Sequence, residues 1–189
     1  MSEERISRLP VPDEAELPED IRELFAANRA KPGFVPNVFR AMSLRPAALR
    51  GFVALYDALM AGEGGLSKAE REMIAVAVSA YNHCHYCLIS HGAVLRVRTK
   101  DAKLADTVAA NYRVAPITPR QRAMLDYALK LTRASAEVDE ADHEALRAHG
   151  FGDEEIFDIT QIAAFFNYSN RVASAMGQRP NDEFYTMGR

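Results

Sequence analysis

Residues 82–91 read NHCHYCLISH and hold both cysteines of the chain, Cys84 and Cys87, with three of its five histidines, His83, His85 and His91. Two kinds of chemistry suit such a stretch. One is redox: a cysteine pair cycling between dithiol and disulfide while an imidazole moves protons. The other is a metal centre, with Cys84, Cys87 and His91 as three ligands and His83 or His85 as the fourth. Positions 84, 87 and 91 fall at i, i+3 and i+7 of a helix starting after Asn82, one stripe of a 3.6-residue repeat. Cα atoms three residues apart on a helix lie roughly 5–5.5 Å from each other, inside the span of a disulfide. Cys84 falls in the first turn, where unpaired N–H groups and the helix dipole favour a thiolate. A free cysteine titrates near ~8.5, so such help is what makes it reactive at neutral pH. His91, one turn beyond Cys87, can reach its sulfur directly or through one water. Zinc fits less well. Adjacent ligands on one helix match the usual tetrahedral patterns poorly, and no second Cys/His pair follows.

The elements that position these residues read as helical almost throughout. No alternating strand segments bounded by hairpin turns stand out, so the expected fold is all-α. Residues 1–17, with Pro10 and Pro12, form an extended arm. Pro18 opens a helix that ends before Gly33, and RPAALRGFVALYDALM stops at Gly62, Gly64 and Gly65. Ser67 and Glu70 make a capping box for LSKAEREMIAVAVSAY, whose core face is Met73, Val76, Ala77 and Ala80. Asn82 is placed to cap the cysteine helix. KDAKLADTVAANYRV follows. Then comes ITPRQRAMLDYALKLTRAS, with Thr118 as cap, Pro119 at the first position and Gln121 completing a second box. DEADHEALRAHG and GDEEIFDITQIAAFFNYSNRVASAMG complete a single domain over residues 18–180, with a tail at 181–189.

A faint internal repeat runs through this order. LSKAEREMIAVAV and ITPRQRAMLDYAL align without gaps, pairing Arg71 with Arg122, Met73 with Met124 and Ala77 with Ala128. YNHCHYC against FNYSNRV extends the match, Asn82 to Asn167, if a helix is inserted between the parts. Glu72, Cys84, Cys87 and His91 face Ala123, Ser169, Val172 and Met176, so a duplication would leave the chemistry in one copy.

Glu72 is the one acid ahead of the apolar run Met73–Val78. It reads as a solvated first-turn acid favoured by the dipole, or as a partner for His91. Antiparallel packing puts it far from the turn, so contact with the cysteine stretch requires the helices to cross and fold back. Asn167, Asn170 and Arg171 either line a pocket or tie the last helix to the core. Phe165, Phe166 and Tyr168 read as core or subunit interface, and His143 and His149 lie on a charged helix.

At 189 residues the chain fits one domain able to bury a core, and its 48% hydrophobic and 26% charged residues suit a soluble globular protein. A net charge of −3 gives no bulk attraction to nucleic acid or anionic lipid, and no nucleic-acid-binding motif is present. No apolar leader or spanning run appears, so no membrane association is expected and the expected location is cytoplasmic. There a cysteine pair is more often catalytic than structural.

Glu72, eleven intervening residues, then Cys84-x-x-Cys87-x-x-x-His91 resembles the signature of the AhpD-like alkylhydroperoxidases, in the carboxymuconolactone decarboxylase superfamily. ERE before an apolar helix, NHCHYC and the late NYSNR are most similar to its peroxidase-related subgroup, over about residues 20–180. The resemblance implies the AhpD-like all-α fold, a homotrimer or homohexamer, and no haem, flavin or metal. It also implies that Glu72 and His91 relay a proton to Cys87, which attacks a peroxide, while Cys84 resolves it as a disulfide for an external dithiol or protein reductant. Tyr86 departs from the pattern: AhpD proper has a histidine there, and this chain carries His85 instead. The readings kept beside a thiol peroxidase are a disulfide-exchange or sensor protein and a lactone decarboxylase, whose chemistry needs no thiols.

Overall fold

The computed structural model describes residues 5–189. Among these, α-helices and short 3₁₀ turns form the fold, with no strand. In chain order the helices are α1 (Glu19–Ala30), α2 (Asn37–Met42), α3 (Pro46–Met60), α4 (Lys68–Tyr81), α5 (His85–Thr99), α6 (Ala102–Asn111), α7 (Pro119–Ala134), α8 (Glu140–Ala148), α9 (Asp153–Met176) and α10 (Glu183–Thr186). The expected all-α class holds. Both expected capping boxes form, Ser67 with Glu70 on α4 and Thr118 with Gln121 on α7, because each needs only residues three apart on one chain segment. Pro18 is the N-cap of α1 rather than its first residue. The short helices α2 and α10 were not anticipated.

Helix α4 is the centre of the molecule. It packs against α5, α6, α7 and α9, and every residue from Glu70 to Ser79 is buried. The sequence reading gave it a single core face. Its run of alanine, valine and one serine instead lets neighbours approach from all sides, as expected of a helix with few large polar groups. Ile74, Leu95, Met124, Ile159 and Phe166 are all fully enclosed in the main cluster. Burying a side chain of that size contributes roughly 1.5–3 kcal/mol.

The repeated arginines act alike. Arg71, 1% exposed, donates to the Leu59 carbonyl in the last turn of α3 at 2.6 Å, to the Leu66 carbonyl in the connection before α4 at 3.3 Å, and to Asp158 at 2.8 Å. Arg122 donates to the carbonyls of Tyr112, Arg113 and Ala115, in the connection before α7. The second match of the repeat is not alike in structure: YNHCHYC spans the turn between α4 and α5, whereas FNYSNRV lies inside α9, separated from α7 by α8 and the first half of α9.

Both ends of the described chain fold back on this body. The Arg8 N–H donates to the Met176 carbonyl at 2.7 Å and the Arg179 N–H to the Ile6 carbonyl at 3.0 Å. Gly177 ends α9 with φ of +59°, and a Cβ there would meet the Arg8 side chain at 2.8 Å. Leu17 is buried against α1 and α3. Near the other end, Arg96 of α5 donates to the carbonyls of Phe184 and Met187, and Phe184 is buried against Phe34 and Ala93.

Candidate active site

The turn between α4 and α5 sets up the site. Asn82 ends α4, His83 takes a left-handed conformation with φ of +52°, and the Cys84 N–H donates to the Ser79 carbonyl at 2.9 Å. Histidine is among the few non-glycine residues that enter this region with some frequency. Cys84, not Asn82, is therefore the N-cap of α5. Asn82 is used elsewhere: its amide donates to the side-chain oxygens of Asn167 and Asn170, both at 3.0 Å, and Asn170 donates in turn to Ser79 at 2.9 Å. Asn167 and Asn170 thus form the network that ties α9 to the turn. Arg171, exposed, donates to Asn167 on its own helix at 2.7 Å.

Glu72 and His91 meet. His91 Nδ1 and Glu72 Oε2 are 2.7 Å apart, with side chains 13% and 6% exposed. No crossing and folding back is needed. The two helices run antiparallel, and His91 lies far enough along α5 to draw level with Glu72. The solvated-acid reading of Glu72 is excluded by its burial. With the carboxylate accepting, Nδ1 carries the imidazole proton and Nε2 is left as the base. The edge of Phe166 stands against the imidazole, ring centres 4.6 Å apart at 80°.

The two thiols are free and buried, 1% and 2% exposed, but their environments differ. The Cys84 thiol is lowered to about 6, chiefly by a hydrogen bond from the Cys87 thiol, with the Cys87 backbone N–H and Ser174 adding to it and burial opposing. The same contact with Cys84, together with burial, pushes Cys87 well above the ordinary thiol range, against hydrogen bonds from Ser169 and Asn170. The contact between the two sulfurs thus favours the thiolate on Cys84, at the helix N-terminus where the dipole favours it too, over one on Cys87.

Access runs the other way. A mostly apolar cavity of about 210 Å³ is lined by Cys87 and His91 but not by Cys84. Its walls come from α1, α2, α3, α5, α9 and α10, including Phe39, Phe52, Tyr56, Ser169 and Phe184. Ser169 Oγ lies 3.7 Å from the Cys87 sulfur. Tyr86, which replaces the family histidine, accepts a hydrogen bond from the Val38 N–H at 3.1 Å and holds α2 against α5. These wall residues were not singled out from the sequence as site residues, because apolar positions facing a cavity have the same spacing as positions facing a core. Among the described residues no group of three or more His, Cys, Asp and Glu side chains is placed to hold a metal ion. His83 is exposed, and His85, also exposed, pairs with the Tyr185 hydroxyl at 3.0 Å. None of the described helices is long and apolar enough to cross a membrane.

The carboxymuconolactone decarboxylase family matches residues 46–130, a span containing Glu72, both cysteines and His91. A peroxidase-related protein of Ralstonia eutropha, with an alkylhydroperoxidase AhpD core, is 57% identical over 98% of each chain, with a TM-score of 0.97. A second peroxidase-related protein, from a Silicibacter species, is 47% identical over 100% of this chain and 99% of its own, with a TM-score of 0.95. A debrominase seen with 2,3,4-tribromopyrrole shares the fold alone, at 16% identity, a TM-score of 0.79 and coverage of 98% of this chain and 96% of its own. No curated protein matches the chain. The helical frame and the near-complete overlap with two peroxidase-related proteins lead to one conclusion: the chain belongs to the carboxymuconolactone decarboxylase family, in its AhpD-like, peroxidase-related branch.

Proposed function

We propose that the protein is a thiol peroxidase that reduces alkyl hydroperoxides or hydrogen peroxide through Cys87 and Cys84. The observation that carries this reading is the Glu72–His91 pair, whose imidazole lines the same cavity as Cys87. His91 Nε2 takes the proton of Cys87, with Glu72 supporting the imidazolium through Nδ1. The Cys87 thiolate attacks one peroxide oxygen, the O–O bond breaks, and the departing alkoxide takes the proton from His91 to leave as alcohol. Cys87 is now a sulfenic acid. The Cys84 thiolate attacks its sulfur, the disulfide forms, and hydroxide leaves as water with a proton from solvent. One thiol of an external dithiol or protein reductant then attacks Cys87, the sulfur that lines the cavity, and expels Cys84; the reductant's second thiol attacks its own sulfur in this mixed disulfide, closes its disulfide and frees Cys87. A low-pKa thiol is the better leaving group, which suits Cys84 to that position.

Self-association as a trimer or hexamer belongs to the same proposal. Leu55 of α3 and Phe157 and Tyr168 of α9 are 46%, 63% and 50% exposed, and these two helices pack side by side. A cytoplasmic setting, where a dithiol supply exists, also belongs to it.

The test is thiol stoichiometry on the purified chain. Adding peroxide should remove two free thiols per chain, with a loss of two hydrogens in the peptide holding both cysteines, and dithiothreitol should restore them. Thiols that persist, or only sulfinic acid on Cys87, would sink the reading. Slow peroxide turnover beside fast exchange with a dithiol partner would favour a disulfide-exchange protein instead.

A further inference from the structure

Cleaving an O–O bond leaves negative charge on the departing oxygen, and a buried site needs a donor aimed at it. The polar groups around the cavity are mostly committed. Ser90 donates to the carbonyls of Tyr86 at 2.9 Å and Cys87 at 3.3 Å, Ser169 pairs with the Cys87 sulfur, and the Tyr86 hydroxyl oxygen accepts from the Val38 N–H, which pins it against α2. Tyr56 differs. It lies on α3, lines the same cavity, and its ring centre is 6.1 Å from that of His91. Among the described residues its hydroxyl makes no hydrogen bond, and burial together with the negative charge of Glu72 holds it in the protonated, donating form. Its ring is fixed by Phe52, stacked at 6.4 Å and 12°, and by Phe165 at 6.2 Å.

We infer that Tyr56 is a further catalytic residue, whose O–H donates a hydrogen bond to the leaving oxygen of the hydroperoxide while Cys87 attacks the other. This rests on the peroxidase reading. Tyr56 keeps its proton throughout; the proton that ends on the alcohol is the one His91 took from Cys87. The donor lowers the barrier only where charge builds on a poor leaving group, so it matters for an alkoxide and little for a carboxylate.

Tyr56→Phe tests this, since it removes the hydroxyl and keeps the ring against Phe52 and Phe165. Single-turnover thiol oxidation would be followed with tert-butyl hydroperoxide and with peracetic acid, and alkylation with iodoacetamide. The rate with tert-butyl hydroperoxide should fall about 10²-fold to 10³-fold, the effect of removing one such donor. Rates with peracetic acid, whose leaving group is acetate, and with iodoacetamide should stay within about 2-fold of the parent. Equal losses with all three reagents would make the effect structural or a matter of thiolate supply and would overturn the assignment, as would no loss with any. A parent protein whose thiols resist both tert-butyl hydroperoxide and hydrogen peroxide would overturn the peroxidase reading and the Tyr56 role together. An active parent with an unaffected variant would overturn the Tyr56 role alone.

Discussion

Glu72 and His91 are 19 residues apart in sequence and 2.7 Å apart in space. One tight turn sets that contact. With α4 and α5 antiparallel and joined through His83 and Cys84, each residue along α4 has a fixed neighbour on α5. The pairing brings a carboxylate to the imidazole that shares a cavity with Cys87.

Removing the carboxylate while keeping its shape should expose the relay. Glu72→Gln should lower the peroxide-dependent rate by about 10² or more, the scale of lost general-base assistance. Cys87 is held well above the ordinary thiol range, so the variant should regain rate only in strongly alkaline buffer, whereas Cys87→Ser should recover at no pH. His91→Gln should resemble it, and the double variant should be little worse than either, as residues acting as one unit are non-additive. Multiplying losses would give the two residues separate roles.

Thiolate absorbance in the ultraviolet should show one group titrating near 6, the Cys84 value. An unfolded cysteine keeps its proton up to ~8.5, so between these values the folded chain binds fewer protons. The stabilisation from the Cys84 thiolate accordingly grows as pH rises through this window and is lost as pH falls through about 6. Cys84→Ser should abolish the low transition. Cys87→Ala should move it upward, because the largest lowering influence on Cys84 is the Cys87 thiol. A transition unmoved in Cys87→Ala would show that the helix N-terminus alone sets it.

Arg71→Met should destabilise the fold without touching the cavity. Arg71 is enclosed, and its loss leaves Asp158 and two backbone carbonyls without their donor. The expected cost is about 3 kcal/mol in urea unfolding, the lower end for breaking a buried pair, since Asp158 is partly exposed. The thiolate transition should stay in place. A loss below about 1 kcal/mol would mean that water replaces the arginine at these carbonyls.

Light scattering of the full chain should give a mass several times the 21.0 kDa of one chain. Replacing Phe157 and Tyr168 with serine should drive it toward the monomer. A monomeric parent at working concentration would reject self-association. Of the arm over residues 1–17, residues 1–4 lie outside the described residues, and Ile6 and Arg8 are hydrogen-bonded at and just beyond the end of α9 in their own chain.

Local rules carried the sequence reading, and distant contacts limited it. The boxes at Ser67 and Thr118 are written within four residues and were legible. Asn82 looks like a cap by the same rules, but its amide is claimed by Asn167 and Asn170, more than eighty residues away, and the cap passes to Cys84. Cys84, Cys87 and His91 stood out by type and spacing, whereas Glu72 joined them through the family resemblance, since antiparallel packing was expected to keep it far from the turn; in the structure it lies 2.7 Å from His91. Tyr56, Ser169 and Phe184 were not. Each is an ordinary helix residue whose position on the cavity comes from packing between α3, α5, α9 and α10. The aligned Asn82 and Asn167 touch each other at 3.0 Å, a contact that the alignment alone did not suggest.

Phe184 closes one side of the space above Cys87 although it stands on the last helix, and Arg96 grips its carbonyl and that of Met187 at 2.7 and 2.9 Å. Whatever is attached to that end of the chain therefore pulls on the chamber. Trimming residues 183–189 would breach a wall and leave Arg96 without these two acceptors. A bulky fusion there would tug on the same segment from outside. Oxidation kinetics measured on such a product would describe an opened vessel, so rates should be taken on protein whose C-terminal segment is neither cut nor loaded.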